Sequence, residues 1–246
     1  MCCEPKSIKE DVVIKEISKL SASAMLAMTA LSLSLVTGCA STPGAAPAAA
    51  APAAPADAGK LPPLVVYGNE GNVDPNILYL GTPANWAFVV PKNGLGAMDA
   101  GSVKAEPTKI GGINGVKVTW TGGTGQIYSQ SKISHDQYDY IDANAALVFD
   151  TVLHQAPEDQ VTMRVDCRYP CMGVVDVTDY LKKMPLEKPT TVKIPLACFE
   201  KAGTKFAVVN TPWVVFTNKA LSMSFANVRY VPGAGKDADV MMKCGG

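Results

Sequence analysis

Apolar and polar side chains alternate with a period of two along the centre of the chain. The clearest run is VTMRVDC, residues 161–167, in which four apolar side chains face one way and Thr162, Arg164 and Asp166 face the other. This alternation is typical of strands with one buried and one polar face, as in antiparallel sheets. The run therefore predicts a β-strand that presents an arginine and an aspartate on the surface of a sheet.

Similar short runs of strand-forming residues lie on both sides of this strand. They occupy residues 64–67, 86–90, 116–121, 126–131, 145–153, 190–199, 206–210, 213–216, 221–224 and 228–231. Pro107 and the Gly111-Gly112 pair interrupt a further candidate at residues 104–113, and short helical turns are predicted within residues 136–144 and 179–183. About ten short strands separated by turn residues, with no strand–helix–strand rhythm, predict an all-β sandwich.

The charges of the chain are balanced, with 22 basic and 22 acidic residues. Such a chain produces no net field that would attract a nucleic acid or an anionic membrane surface. Aromatic residues make up 7% of the chain, which is enough for a core and a few surface rings. We therefore expect an ordinary globular β domain with no nucleic-acid partner.

The first 38 residues have the pattern of an export signal. Lys15 and Lys19 precede an apolar run at residues 21–36, which is too short to span a bilayer comfortably. Small residues then lead directly into Cys39, as in the lipobox of bacterial lipoproteins, where the cysteine is acylated after cleavage. Residues 1–38 are therefore predicted to be a lipoprotein signal peptide and Cys39 the lipidation site. The alternative is an ordinary signal peptide that a cysteine follows by coincidence.

Residues 39–60 join this cysteine to the predicted domain. They are dominated by alanine and proline, a composition that is typical of a semi-rigid spacer. Ala40 and Ser41 follow the cysteine in place of an aspartate, a pattern associated with sorting to the outer membrane of Gram-negative bacteria. We therefore expect a protein that is lipid-anchored to the outer membrane, facing the periplasm or the cell surface. The sandwich is predicted at residues 61–233 and a C-terminal tail at residues 234–246.

Four cysteines follow the linker: Cys167, Cys171, Cys198 and Cys244. An even number of cysteines in an exported protein indicates disulfides. Three pairings are open, and we favour Cys167–Cys171, which closes a short turn, with Cys198–Cys244, which pins the tail. Zinc is the rival interpretation, but a C-x3-C spacing with no nearby pair of histidines is poor for a zinc site, so we assign no metal ligands.

The sequence contains no motif of a serine hydrolase, a nucleotide-binding loop or a zinc protease. His135 and His154 lie in different segments and are more typical of solvated side chains than of a catalytic base. Asp150 and Asp166 lie on predicted strands, where an ion pair or a hydrogen bond to a sugar hydroxyl is expected before catalysis. A glycosidase needs two facing carboxylates about 5 to 10 Å apart.

Exposed aromatic rings would indicate carbohydrate binding, because they stack on the apolar face of a sugar ring. Trp86, Trp120 and Trp213 are the candidate tryptophans, although each has the apolar neighbours of a core residue. Trp120 is the most site-like, since a glycine-rich turn and then Gln126 and Tyr128 follow it.

Several short motifs occur together along the chain. They are PANWAFVV around Trp86, V-x-W-x-G at residues 118–122, ALVFD ending at Asp150, MRVDC-x3-C ending at Cys171 and IPLACF at residues 194–199. In this order they resemble the galactose-binding-like, ExoP-type domain found at the C-terminus of family 3 exo-β-glucanases of Gram-negative bacteria. The resemblance covers residues 61–232.

This resemblance implies a β-jelly-roll related to carbohydrate-binding modules, with catalysis in separate upstream domains that this chain lacks. We therefore expect non-catalytic binding of a polysaccharide or another glycan. No cofactor is expected, although a structural calcium ion, as in many jelly-roll modules, is compatible with the sequence. The expected binding surface consists of Trp120, Gln126, Tyr128, Asp150, Arg164 and Asp166.

Two other functions are open at this point. The same sheet face could dock a partner, such as a glycosidase or another envelope component, and a contiguous apolar patch would favour that function. The chain could also be a glycoside hydrolase in its own right, which would require two facing carboxylates in a cleft. A groove that combines rings with polar groups would favour sugar binding.

Overall fold

The computed structural model describes residues 61–91, 98–237 and 239–242, with Met98 described for its backbone alone. The predicted signal peptide, the lipidation site Cys39, the alanine- and proline-rich linker and Cys244 lie outside the described residues. None of the helices in the described part is long and apolar enough to cross a membrane.

Short runs of β-branched and aromatic residues, separated by glycine, asparagine and proline, form the strands of two sheets. The strands of the described residues are β1 (Leu64–Gly68), β2 (Gly71–Asn72), β3 (Ile77–Thr82), β4 (Asn85–Val89), β5 (Met98–Asp99), β6 (Val103–Ile110), β7 (Ile113–Trp120), β8 (Gly125–Gln130), β9 (Ala146–Gln155), β10 (Val161–Asp166), β11 (Met172–Asp176), β12 (Pro189–Pro195), β13 (Thr211–Thr217) and β14 (Leu221–Val231). The helices are α1 (Tyr138–Asp142), α2 (Thr178–Leu181), α3 (Leu196–Lys201) and 3-10 turns at Phe206–Val208 and Ala234–Lys236.

The larger sheet has eight strands in the order β12-β9-β14-β7-β6-β5, with β1 beside β14 and β2 beside β1. The smaller sheet has six strands in the order β11-β10-β13-β8-β3-β4. Every strand pairing within the two sheets is antiparallel. The predicted fold class, an all-β sandwich, is confirmed.

The hydrophobic core consists of the inward-facing side chains of the two sheets. In β10, Val161, Met163 and Val165 are fully buried in this core, so the predicted period of two is confirmed there. Trp213 meets Phe225 edge-on, with 5.1 Å between the ring centroids. Because alternate side chains fill the core, the intervening side chains of the six-stranded sheet are left on its outward face.

Two strand predictions are wrong at residues 196–210. Residues 196–199 belong to α3 and residues 206–208 form a 3-10 turn, whereas both segments were predicted as strand. In the first segment Leu196 and Phe199 are buried, and in the second Phe206 and Val209 are buried. Their spacing of three brings them to one side of a helical turn, and this spacing outweighs the local β propensity.

The interruption predicted at Pro107 does not occur, because β6 runs continuously from Val103 to Ile110. Among the described residues, β5 pairs with Lys104 and Ala105, and no described strand covers β6 beyond that point. Pro107 therefore lies on an edge of the described sheet, where its missing N–H leaves no ladder hydrogen bond unmade. Strand β3, Ile77–Thr82, was not predicted, since glycine, asparagine and proline surround it.

The predicted disulfide between Cys167 and Cys171 is present, with 5.0 Å between the two Cα atoms. It joins the end of β10 to the start of β11. Cys198 is buried in α3 and is also disulfide-bonded. Its predicted partner, Cys244, lies outside the described residues, so that pairing stays a prediction.

Candidate ligand-binding cleft

The register of the six-stranded sheet aligns side chains in rows across its outward face. One row crosses all six strands, and its members are paired in the order Val89, Tyr79, Tyr128, Val214, Arg164 and Val174. A parallel row pairs Gln126 with Phe216, and a third pairs Asp166 with Thr211. The face therefore combines aromatic rings with an arginine, an aspartate and amides.

A cleft of about 510 Å³ lies over these rows. Its volume is within the range of small-molecule sites, about 300 to 1,000 Å³. The side chains that line it come from β4, β8, β10, β13 and the turn after β10: Trp86, Gln126, Tyr128, Gln130, Arg164, Asp166, Tyr169, Thr211 and Phe216.

Two exposed aromatic rings border the cleft. Trp86 on the edge strand β4 is 46% exposed, and Tyr169 in the disulfide-closed turn is 85% exposed. The Trp86 ring lies against Gly81, where an added Cβ would come within 3.1 Å of the ring carbon Cε3 and 2.9 Å of Gln126 Cγ. A glycine at this position therefore lets the indole lie close to the sheet.

Tyr128 forms part of the floor between these rings. Its hydroxyl donates to the backbone carbonyl of Trp86 at 2.6 Å, and its ring stacks on Tyr79 with 5.1 Å between centroids. Burial, and secondarily the neighbouring Tyr79, raises the pKa of Tyr128 to about 12. The phenol therefore stays protonated at neutral pH, and its contacts fix the backbone that carries Trp86.

The polar floor of the cleft is built around Arg164. Its Nη2 donates to Gln126 Oε1 at 3.0 Å and to Asp166 Oδ2 at 3.4 Å, and its guanidinium carbon lies 5.8 Å from the Phe216 ring centroid. Arg164 Nε and Asp166 Oδ1 are buried and have no hydrogen-bond partner among the described residues. The Arg164–Asp166 pair therefore keeps one buried donor and one buried acceptor without a hydrogen bond, which makes this part of the floor costly to the fold.

The carboxyl of Asp166 is held in an unfavourable environment. Burial raises its pKa above the ordinary value, and the Arg164 guanidinium offsets this only in part. The nearest contact of the pair, 3.4 Å, is long for an ion pair, which explains the incomplete compensation. A buried carboxyl with a perturbed pKa in a cleft is a candidate for a functional role.

Replacing Asp166 with asparagine is expected to stabilise the fold at neutral pH. Because the pKa of Asp166 is higher in the folded state, its protonation favours folding below the unfolded-state pKa, and this stabilisation is lost as the pH rises through the folded-state pKa. Asp166→Asn should therefore raise the free energy of unfolding at pH 7 by about 1 kcal/mol, and the gain should vanish below about pH 3. Urea unfolding across this pH range measures both.

Asp176 supplies a control of the opposite sign. Although burial opposes it, hydrogen bonds from Thr178 and Gln160 hold the pKa of Asp176 below its usual range. Its stabilisation is therefore present above the unfolded-state pKa and is lost as the pH falls through the folded-state pKa. Asp176→Asn should destabilise the protein at pH 7, and an Asp166→Asn variant that also loses stability there would contradict the account of the cleft.

Four of the six predicted site residues lie together in the cleft: Gln126, Tyr128, Arg164 and Asp166. Their contact with a ligand stays a prediction. The prediction for Trp120 as an exposed platform is wrong, because this residue is 1% exposed. Trp120 ends β7 on the inward face, in line with the buried residues Val116 and Val118, and is part of the core.

Asp150 lies apart from the cleft, on β9 of the eight-stranded sheet. Its carboxylate accepts hydrogen bonds from Thr191 Oγ1 at 2.7 Å and Asn227 Nδ2 at 3.1 Å, and it lies 3.9 Å from Arg229 Nη1. Through these contacts Asp150 joins β9 to β12 and β14, which is a structural role. The structure therefore does not join Asp150 to the other predicted residues.

Sequence reasoning missed five residues that line the cleft: Trp86, Gln130, Tyr169, Thr211 and Phe216. Trp86 was a candidate ring for sugar stacking but was left out of the predicted binding surface. Its place at the start of a strand, after a turn, was the signal that favoured an exposed position. Tyr169 was visible as a large aromatic residue in the middle of the predicted disulfide turn. Phe216 and Thr211 give no signal in the sequence, because the sequence alone does not show which side chains of β13 face outward.

Among the described residues, the cleft over the six-stranded sheet lacks the pair of carboxylates that a glycoside hydrolase uses. Asp166 is the one carboxylate among the residues lining the cleft, whereas glycoside hydrolysis needs two. On the other sheet, His154 Nε2 lies 2.7 Å from Ser224 Oγ and His154 Nδ1 lies 2.8 Å from Glu187 Oε2. However, Ser224 is 1% exposed while the Glu187 side chain is 66% exposed. In a nucleophilic site the serine must be accessible to the substrate, whereas here the serine is buried and the carboxylate is exposed.

No group of three or more histidine, cysteine, aspartate or glutamate residues in the described part of the chain is placed to hold a metal ion. The calcium ion considered from the sequence therefore has no ligands assigned among these residues.

Comparison with known proteins supports the same fold. Residues 113–230 match the Exop_C family, described as galactose-binding domain-like. The predicted resemblance is thus confirmed. The extra C-terminal domain of an exo-1,3/1,4-β-glucanase (ExoP) from a Pseudoalteromonas species is similar in structure, with a TM-score of 0.58 and 14% identity over 72% of this chain and 95% of that domain.

The chain corresponds to 22% of the length of the whole glucanase. A family 30 carbohydrate-binding module of a cellulosomal cellulase from Clostridium thermocellum is also similar, with a TM-score of 0.50 and 16% identity over 70% of this chain and 99% of the module. No protein of curated function matches the chain in sequence. At these identities the likeness establishes a shared galactose-binding-like fold.

Proposed function

We propose that the cleft of the six-stranded sheet binds a neutral glycan without catalysing its cleavage. The observation that carries the proposal is the combination of two exposed rings, Trp86 and Tyr169, with the polar floor around Arg164. Sugars present an apolar C–H face beside a rim of hydroxyls, so they match a site that offers rings and hydrogen-bonding groups side by side.

The charge of the cleft favours an uncharged ligand. Arg164 and Asp166 carry opposite charges and lie 3.4 Å apart, so the two largest local charges offset each other. The side chains of Arg164 and Asp166 are 18% and 12% exposed, so a sugar hydroxyl could accept a hydrogen bond from the exposed part of the guanidinium and donate one to the exposed part of the carboxylate. A carboxylate on an acidic sugar could satisfy the arginine only, and Asp166 would repel it.

The sheet face beneath the cleft is wide enough for a stretch of a linear polysaccharide. The row of paired side chains crosses six strands, and five spacings of about 4.8 Å give a length of about 24 Å. The proteins with a similar fold are an accessory domain of a β-glucanase and a carbohydrate-binding module of a cellulase. Their names make β-glucans the first class of glycan to test.

The delivery of this domain is part of the same proposal. Cys39 would carry the lipid that anchors the chain to the outer membrane, and the alanine- and proline-rich residues after it would act as a spacer. A glycan-binding domain on such an anchor would hold polysaccharide near the membrane, where a partner glycosidase could act on it.

A glycan array tests the proposed function directly. The full chain, in mild detergent, should bind neutral β-glucans or galactosides and should not bind polyuronates of similar length. Circular dichroism establishes that the arrayed protein is folded. Absence of binding to every neutral glycan by folded protein would contradict the proposal and favour the docking function instead.

A further inference from the structure

The turn between β10 and β11 presents an exposed aromatic ring to the cleft. Arg168, Tyr169 and Pro170 form this turn, and the Cys167–Cys171 disulfide closes it. The backbone N–H of Cys167 also donates to the carbonyl of Cys171 at 2.8 Å. Tyr169 stands at the middle of the turn, 85% exposed, and its side chain lines the cleft together with Asp166.

The base of this turn is fixed on the N-terminal side of the tyrosine. Cys167 is buried and its sulfur accepts a hydrogen bond from the backbone N–H of Lys205 at 3.1 Å. The backbone N–H of Arg168 donates to Asn210 Oδ1 at 2.9 Å, and its Nε donates to Ser134 Oγ at 2.8 Å. Through the disulfide, the residue after Tyr169-Pro170 is attached to this fixed base.

The fold gains less from this disulfide than from one that closes a long loop. A disulfide that closes only five residues removes less entropy from the unfolded chain, because the effect grows with the length of the closed loop. An 85% exposed ring also removes little apolar surface from water. The disulfide and the tyrosine are therefore better explained by what they present to the cleft than by stability.

We propose that the Cys167–Cys171 disulfide is a positioning element of the cleft, which holds Tyr169 in place to stack on a bound sugar. The proposal rests on the proposed glycan binding. It assigns to the disulfide the role of ordering Tyr169, which is one of the two exposed rings that border the cleft. Without the disulfide, backbone hydrogen bonds alone would tie Cys171 to this base. The turn would then sample more conformations, and binding would have to order the Tyr169 ring. Preorganising a contact residue strengthens binding by removing that ordering cost.

The test is a double-mutant cycle measured by isothermal titration with a soluble 1,3/1,4-β-glucan as the probe. The variants of the full chain are Cys167→Ser/Cys171→Ser, Tyr169→Ala and the combination of all three changes. Removal of the disulfide should weaken binding about 5- to 10-fold in the parent chain. With Tyr169→Ala already present, its removal should change affinity by less than about 2-fold, because there is no ring left to position.

Cys198→Ser is the matched control for the loss of a disulfide away from the cleft, and it should leave affinity unchanged. If the double serine variant does not fold, dithiothreitol treatment of the Cys198→Ser chain, with and without Tyr169→Ala, gives the same comparison, because the disulfide of Cys198 is already absent there. The dithiol gives two electrons to the disulfide, which becomes two thiols, while the reagent becomes a cyclic disulfide.

The outcomes separate this inference from the function on which it rests. An equal loss of affinity with and without the Tyr169 ring would overturn the positioning role, and so would an unchanged affinity in the parent background. In both cases glycan binding itself would stand. A folded parent chain that does not bind the glucan at all would overturn the inference together with the β-glucan assignment.

Discussion

Arg164→Ala is expected to weaken glycan binding about 50- to 100-fold, the loss expected on removing a charged hydrogen-bond donor to a ligand. Arg164 contacts Gln126 and Asp166 and lies over the Phe216 ring, so it organises the polar floor of the cleft as well. The buried Asp166 would lose its nearby positive charge, which should lower the free energy of unfolding by about 1 to 2 kcal/mol. Titration calorimetry and urea unfolding measure the two effects.

Arg229→Ala is the matched control for this variant. Arg229 lies on the eight-stranded sheet, where it donates to the carbonyl of Asn227 at 2.6 Å and lies near Asp150. Its loss should affect stability and leave glycan affinity within about 2-fold of the parent. If the two arginine variants lose affinity equally, the binding site does not lie in the cleft.

Trp120→Ala is expected to reduce mainly the stability of the fold, and Trp86→Ala is expected to reduce mainly the affinity for glycan. Trp120 is fully packed in the core, so its truncation should lower the free energy of unfolding by about 3 to 5 kcal/mol. Trp86 is exposed on an edge strand, so its truncation should change stability by less than about 1 kcal/mol. Trp86→Ala should instead weaken glycan binding about 10- to 30-fold through the loss of ring stacking.

Urea unfolding and calorimetry on both tryptophan variants distinguish these roles. Trp120→Phe keeps an aromatic ring in the core and should bind glycan as the parent does. A folded Trp120→Phe variant that has lost binding, together with a Trp86→Ala variant that keeps it, would reverse the assignment of the aromatic platform.

The sequence was sufficient to predict the fold and the strand at the centre of the cleft. The alternation at residues 161–167 predicts which side chains of β10 belong to the hydrophobic core and places Arg164 and Asp166 on the outward face. The same rule, applied to Val116, Val118 and Trp120, assigns the tryptophan to the core. The error at Trp120 therefore came from weighting the glycine-rich turn over the alternation.

The position of Asp150 could not be predicted in the same way. Asp150 and Asp166 occupy similar outward positions on consecutive strands, but β9 and β10 belong to different sheets. The outward faces of two packed sheets point away from each other, so the two aspartates cannot share a site. Alternation identifies the polar face of a strand, whereas the pairing partners that decide its sheet lie far away along the chain.

The aromatic walls of the cleft show a further limit of sequence reasoning. Trp86 is exposed because β4 is an edge strand and Gly81 leaves room for its ring, and both facts depend on the pairing of β3 with β4. Tyr169 owes its position to the short disulfide turn, which the cysteine spacing did predict. A local constraint can be inferred from sequence, while a contact between neighbouring strands depends on register.

The most direct test of glycan binding in the cleft is a map of amide and indole chemical shifts on adding a soluble 1,3/1,4-β-glucan oligosaccharide. The account predicts that the shifts concentrate on β8, β10, β13 and the 168–170 turn. The indole N–H of Trp86 should move, and those of the buried Trp120 and Trp213 should not. Shifts centred on Asp150 and the outward face of the eight-stranded sheet would contradict the account.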